Sequence, residues 1–144
     1  PHRIEMEITE TVLMRDAKSS VAILHQLKEM GLVLVMDDFG TGYSSLSYLK
    51  RFPVDELKID RSFVNQITTE GKNCEIVKTI VTLAHSLGMK AIAEGVETAH
   101  QVTHLTNLGC EAAQGYYFAK PLNQVDAELL IGNNSFLSKT TNIP

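Results

Sequence analysis

Three times along this chain an amphipathic stretch ends at a glycine, a short apolar run follows, and a polar side chain closes that run. The units are Met30-Gly31 through to Asp37, Leu87-Gly88 through to Glu94, and Leu108-Gly109 through to Gln114. Glycine just past a helix is the common left-handed C-terminal cap, so each unit reads as helix, cap, strand. Helices and strands alternating in this way predict a parallel sheet joined by right-handed crossovers. TIM barrels and open α/β sheets both carry their chemistry at the C-terminal ends of such strands. The polar residues that end each run are therefore the first candidates for a site.

The remaining elements fit the same plan. Ile4 to Ile8 alternates apolar and polar, as a half-buried strand does. Ile23, Leu24, Leu27 and Met30 recur at helical spacing and predict an apolar helix face between Ser19 and Met30. Leu32 to Met36 is apolar throughout, like a strand covered on both faces, and is expected to stop at Asp37-Asp38. Gly40 and Gly42 mark a loop, and Ser44 to Arg51 a short helix ended by Phe52-Pro53. Glu56 to Asp60 reads as a strand. Asn73 to Leu87 is the clearest helix, with Ile76, Val77, Ile80, Val81, Ala84 and Leu87 on one face. Lys90 to Ala93, Thr98 to Leu108, a strand reaching Gln114, and a helix over Asp126 to Ile131 complete the series.

Strands are thus expected near Glu7, Asp37, Lys58, Glu94 and Gln114. A complete (β/α)₈ barrel takes about 250 residues, and this chain has 144. The expected fold is α/β: a partial TIM-like (β/α)₈ barrel of parallel strands, about its last five βα units. Residues 1–132 would form that part, and 133–144 a polar C-terminal tail. A start at Pro1 without a Met reads as a piece of something longer.

A net charge of −4 supplies no basic face, so a nucleic-acid polymer is not the expected partner. A small anion remains compatible if metal ions neutralise its site. Cys74 and Cys110 have no metal or redox spacing and read as reduced core residues of a cytoplasmic protein. No apolar run has the length of a membrane span.

Glu7, Asp37, Asp38, Glu94 and Glu97 would converge on one rim if their strands are neighbours. So many carboxylates share a small site only with cations or protons among them, and hard oxygen donors suit Mg²⁺ or Mn²⁺. Taken singly, each could be a solvated loop acid. In Leu57-Lys58-Ile59, alternation turns Lys58 away from the covering helices and into the barrel interior, where acidic neighbours would supply its partners. The alternative is an edge strand with Lys58 in water. The stretch Asp38-Phe39-Gly40-Thr41-Gly42-Tyr43-Ser44-Ser45 lacks the Walker lysine and reads as a metal-adjacent loop. His100 and His104 stand four apart on a helix, but no third ligand motif accompanies them. No nucleophile–base constellation stands out.

These residues resemble a known family. Glu7-Ile8-Thr9-Glu10, Asp37-Asp38-Phe39-Gly40-Thr41-Gly42-Tyr43-Ser44-Ser45, Leu57-Lys58-Ile59-Asp60, Ala93-Glu94-Gly95-Val96-Glu97 and Gln114-Gly115-Tyr116, followed by Lys120-Pro121-Leu122, look like successive motifs of the EAL domain. The resemblance covers about Ile4 to Ile131. It implies a TIM-like barrel that hydrolyses cyclic di-GMP to linear pGpG with two Mg²⁺ or Mn²⁺ ions. By similarity, Glu7 and Asp37 bind the first metal, with Asp37 bridging to the second. Asp38 serves the second metal, with Glu94 nearby. Lys58 holds the attacking water, Glu97 and Gln114 position the ligand and the metal waters, and Glu10 anchors the loop from Phe39 to Ser45. A homodimer or other oligomer through the exposed sheet edge or the 39–45 loop also follows. So do upstream sensory or GGDEF domains, through which the parent could be tethered to a membrane.

Two family features are absent from these residues: the early Glu-x-Leu-x-Arg strand, and the Asn that completes the first metal site. A non-catalytic module that binds the nucleotide or a protein partner is the competing reading; an unrelated metal-binding barrel fragment fits the ordered motifs poorly. The 144 residues by themselves are expected to show little or no phosphodiesterase activity, and full hydrolysis by the purified chain would overturn that.

Overall fold

Leu34 and Met36 leave one face of their strand and Val35 leaves the other, and all three are buried. Only Leu34 and Met36 join the main apolar core. That difference follows from the sheet topology. The computed structural model describes residues 4–40, 46–67 and 74–132. Five strands, β1 (Glu5–Thr9), β2 (Val33–Phe39), β3 (Glu56–Ile59), β4 (Lys90–Ala93) and β5 (Ala112–Ala113), are parallel and hydrogen-bonded in chain order. Every crossover advances the same way, so right-handed connections put all the helices on one face. The other face is the interior wall of a TIM-like barrel, of which this sheet is a part.

The helices are α1 (Glu10–Arg15), α2 (Ala17–Glu29), α3 (Leu46–Leu49), α4 (Arg61–Val64), α5 (Glu75–Ser86), α6 (Ala99–Leu108) and α7 (Gln124–Gly132). Leu24, Val77, Val81, Ala84 and Leu105 bury their side chains against Leu34, Met36, Leu57, Ile59, Ala91 and Ala93. No helix among the described residues is long and apolar enough to cross a membrane. Cys74 and Cys110 are both free. Burial pushes the Cys110 thiol up to about 12, with the Glu111 charge adding to it, which keeps the group protonated at neutral pH.

Several expectations shift. The inward stripe of α2 runs through Ala17, Val21, Leu24 and Leu27, leaving Ile23 and Met30 exposed. Ile76 likewise faces solvent from α5. Spacing alone allowed either stripe, and packing against β2 and β4 chose one. β2 runs past Asp37-Asp38 to Phe39, and β5 has two residues instead of a full strand. The helices α1 and α4 were not anticipated. The tail at 133–144, and residues 44 and 45 of the expected helix before Phe52, lie outside the described residues.

At the N-terminal end of the sheet, carboxylates clamp strand amides. Asp55 accepts the Leu34 N–H at 2.8 Å and the Lys28 ammonium at 2.6 Å. Glu111 accepts the Ala91 N–H at 2.8 Å, with His85 Nε2 at 3.0 Å from its other oxygen. At the C-terminal end, Val96 donates to the Gln114 carbonyl at 3.0 Å and accepts from the Tyr117 N–H at 2.9 Å. This brings Gly115 so close that a Cβ there would lie 2.2 Å from the Val96 oxygen. Gly115→Ala is expected to cost roughly 2–4 kcal/mol through overpacking and backbone strain, read as a lower urea midpoint with an unchanged slope.

Candidate metal centre

The strand register brings the site residues to one level. Thr9 pairs with Asp37, Ile59 with Ala93, and Ala93 with Ala113. Glu10, Asp38, Asp60, Glu94 and Gln114 therefore follow at one mouth of the sheet. Lys58, one residue inside that rim, points to the face away from the helices and is 4% exposed. Its ammonium contacts Glu7 from β1 at 2.8 Å, Asp37 from β2 at 3.4 Å, and Glu94 just beyond β4. Burial alone pushes the group down. Hydrogen bonds to Glu7 and Glu94, with the charges of Glu94 and Asp37, outweigh that and raise it above the ordinary lysine range. The ammonium is retained at neutral pH, and the stability it contributes is lost only as the pH climbs through that raised value.

Strict alternation would send Asp38 to the opposite face from Asp37. It does not, because β2 carries an extra residue there: Met36 pairs with Leu57 and Phe39 with Ile59, so three steps on β2 match two on β3. Asp38 takes φ +56, a left-handed conformation that Asp tolerates better than most residues. Its N–H donates to Asp37 Oδ1 at 2.9 Å. The bulge re-aims Asp38 toward the mouth and keeps Phe39 in the core. One carboxylate oxygen from each of Asp37, Asp38 and Glu94 then lies within 4.8 Å of the others. Glu7 stands outside this trio and reaches it through Lys58.

Glu10 is buried and accepts the Gly40 N–H at 2.9 Å, at the start of the expected loop. Residues 41–45 of that loop lie outside the described residues. Gln114 donates to Glu94 at 2.6 Å. Glu97 does not join the Lys58 cluster. It lines an adjoining cleft of about 290 Å³ with Arg61, Asn65, Glu94, Gly95, Gln114, Gly115 and Tyr116. His100 and His104 stack at 6.3 Å on α6, and no third metal-ligating group joins them among the described residues.

Three contributors escaped the sequence reading: the bulge, the cleft-lining Arg61 and Asn65, and the buried Gln101. Only Gln101 had a legible signal. Thr98-x-x-Gln101 is a capping-box pattern, and both of its reciprocal bonds form.

The family profile of the EAL domain matches residues 1–121. The chain belongs to the EAL domain family. The bifunctional diguanylate cyclase/cyclic di-GMP phosphodiesterase MucR of Pseudomonas aeruginosa is 49% identical over 85% of this chain and 18% of its own length. The solved PaMucR phosphodiesterase in complex with c-di-GMP superposes at a TM-score of 0.83 with 47% identity, covering 88% of this chain and 51% of that one. Klebsiella pneumoniae BlrP1, solved with manganese and cyclic di-GMP, gives a TM-score of 0.75 at 36% identity over 84% of this chain and 31% of that one. This EAL chain thus spans less than a third of the length of the MucR relative and about half of the solved PaMucR chain.

Taking the ammonium out of this EAL site leaves three acids facing one another. Because Glu7, Asp37 and Glu94 keep some contact with water, Lys58→Met is expected to cost about 2–3 kcal/mol in metal-free protein at pH 7, somewhat less than a fully buried pair. Urea unfolding at pH 7 checks it.

Proposed function

We propose that the protein containing this chain is a divalent-cation-dependent phosphodiesterase that opens cyclic di-GMP to linear pGpG. The observation that carries the reading is the cluster of three carboxylates around one buried ammonium at the mouth of an EAL sheet, with Asp38 beside two of them. The donor set fits the implied metal: Asp37, Asp38 and Glu94 offer clustered hard oxygens, which suit Mg²⁺ or Mn²⁺ better than zinc. Two ions would be held by Glu7, Asp37, Asp38 and Glu94, with Asp37 serving both. Such ions, when bound, generate a nucleophile from water at neutral pH and stabilise the attacking and leaving oxygens of an in-line displacement.

The chain's own groups supply the rest. A 5′-phosphate on pGpG requires water to attack phosphorus while the 3′ oxygen leaves. Lys58 donates a hydrogen bond that orients the attacking water. Gln114 steadies Glu94, Glu97 positions the dinucleotide from the cleft, and Glu10 fixes the start of the 40–45 loop through Gly40. Partners on this reading are cyclic di-GMP, a second copy meeting the sheet edge or that loop, and sensory or GGDEF domains of the same protein, with the reaction in the cytoplasm.

The test uses the full-length protein with Mn²⁺ and follows pGpG release. EDTA should abolish turnover and added Mn²⁺ restore it. Lys58→Ala and Glu94→Gln should each lower kcat by about 10²–10³-fold, with cyclic di-GMP still bound. Undiminished turnover in either variant would undo the role assignments. A wild-type protein that binds the dinucleotide and never releases pGpG would instead establish the non-catalytic module.

A further inference from the structure

Gln101 is 6% exposed, on the first turn of α6, and its side-chain amide makes three hydrogen bonds. Oε1 accepts two backbone N–H groups, Glu97 at 2.8 Å and Thr98 at 3.0 Å. Nε2 donates to the Val64 carbonyl at 3.2 Å. Val64 ends α4, the short helix that follows β3 and its Lys58 directly. Glu97 closes the turn that opens at Glu94. One buried amide therefore joins the segment carrying the ammonium to the segment carrying its carboxylate partner. A second contact lies beside it: the Arg61 Cβ of α4 would sit 2.5 Å from a Cβ added at Gly95. On the other side the turn is fixed by the backbone bonds of Val96.

We propose that Gln101 is a positioning residue of the metal centre, setting where Glu94 and Glu97 stand relative to Lys58 and Asp37. The proposal rests on the reading of that cluster as a metal site. No other side chain of similar length does the same work. A carboxylate can accept both N–H groups but offers nothing to the Val64 carbonyl, and a methionine removes the partner of that buried carbonyl and of the part-buried Glu97 and Thr98 N–H groups. Misplacing a ligand through its supporting hydrogen bonds typically weakens a metal about 10–100-fold.

The test measures Mn²⁺ binding to the full-length protein by the loss of the free-ion EPR signal, without substrate, in wild type, Gln101→Met and Gln101→Glu. Gln101→Met is expected to bind Mn²⁺ about 10–100-fold more weakly, and Gln101→Glu, which keeps the acceptor for Glu97 and Thr98, roughly 3–10-fold more weakly. In the hydrolysis assay the same order should appear in kcat. If both variants melt lower yet bind Mn²⁺ as wild type does, Gln101 is structural only and the proposal falls. Should Gln101→Met fail to fold, Gln101→Glu alone decides: weakened binding supports the role, and wild-type affinity overturns it. A wild type that never cleaves cyclic di-GMP would defeat the phosphodiesterase reading, while the Mn²⁺ titration would still decide on Gln101.

Discussion

The Lys58 ammonium has lost nearly all contact with water, and a charge in that position persists only among opposite charges. Its partners come from three segments that are distant in sequence, so the sheet has to be assembled before any of them can meet. At about 4 Å and an effective dielectric near 20, one ion pair gains about 4 kcal/mol before desolvation, and carboxylate repulsion is of the same size. Glu7, Asp37, Asp38 and Glu94 against a single ammonium leave negative charge in surplus. A pocket built this way is neutralised too little by its own lysine, which makes it receptive to a divalent cation.

Such a mouth is tolerable because the opposite end of the sheet is stitched down. Asp55 and Glu111 use their oxygens on strand amides, on the Lys28 ammonium and on the His85 ring, so the carboxylates there add order. At the C-terminal end the tight approaches run through Gly115, against the Val96 backbone, and Gly95, against the Arg61 Cβ, where no further side chain could stand. Among the acidic side chains at that end, Glu10 is buried and tied to Gly40, and Asp60 caps α4 through the Ser62 N–H.

Much of this was legible in the sequence because it depends on period and punctuation. The glycines after Met30, Leu87 and Leu108 marked the helix ends, and the polar residues after each apolar run lay where the strands stop. The alternation of Leu57, Lys58 and Ile59 was enough to turn Lys58 inward. Ile23, Met30 and Ile76 could not be placed, because a helix with apolar residues on two flanks is oriented by its neighbours and not by its own pattern. Nor could the bulge be read: Asp37-Asp38 looks like the end of a strand, and only the register against β3 reveals a residue too many. The double duty of Gln101 was hidden for a similar reason. A capping box is local, but the Val64 carbonyl it also serves is thirty-seven residues away.

The bulge has a consequence for how this mouth could change over time. Asp38 is surplus to the in–out rhythm of β2, so losing that one residue would leave Phe39 on the same side of the sheet and the hydrophobic layer in phase. Ligand number at this position is thereby uncoupled from threading: a single codon gained or lost adds or removes an acidic arm without re-laying the strand. A second carboxylate placed by ordinary alternation would have had to sit two residues away, about 6.6 Å further along the strand.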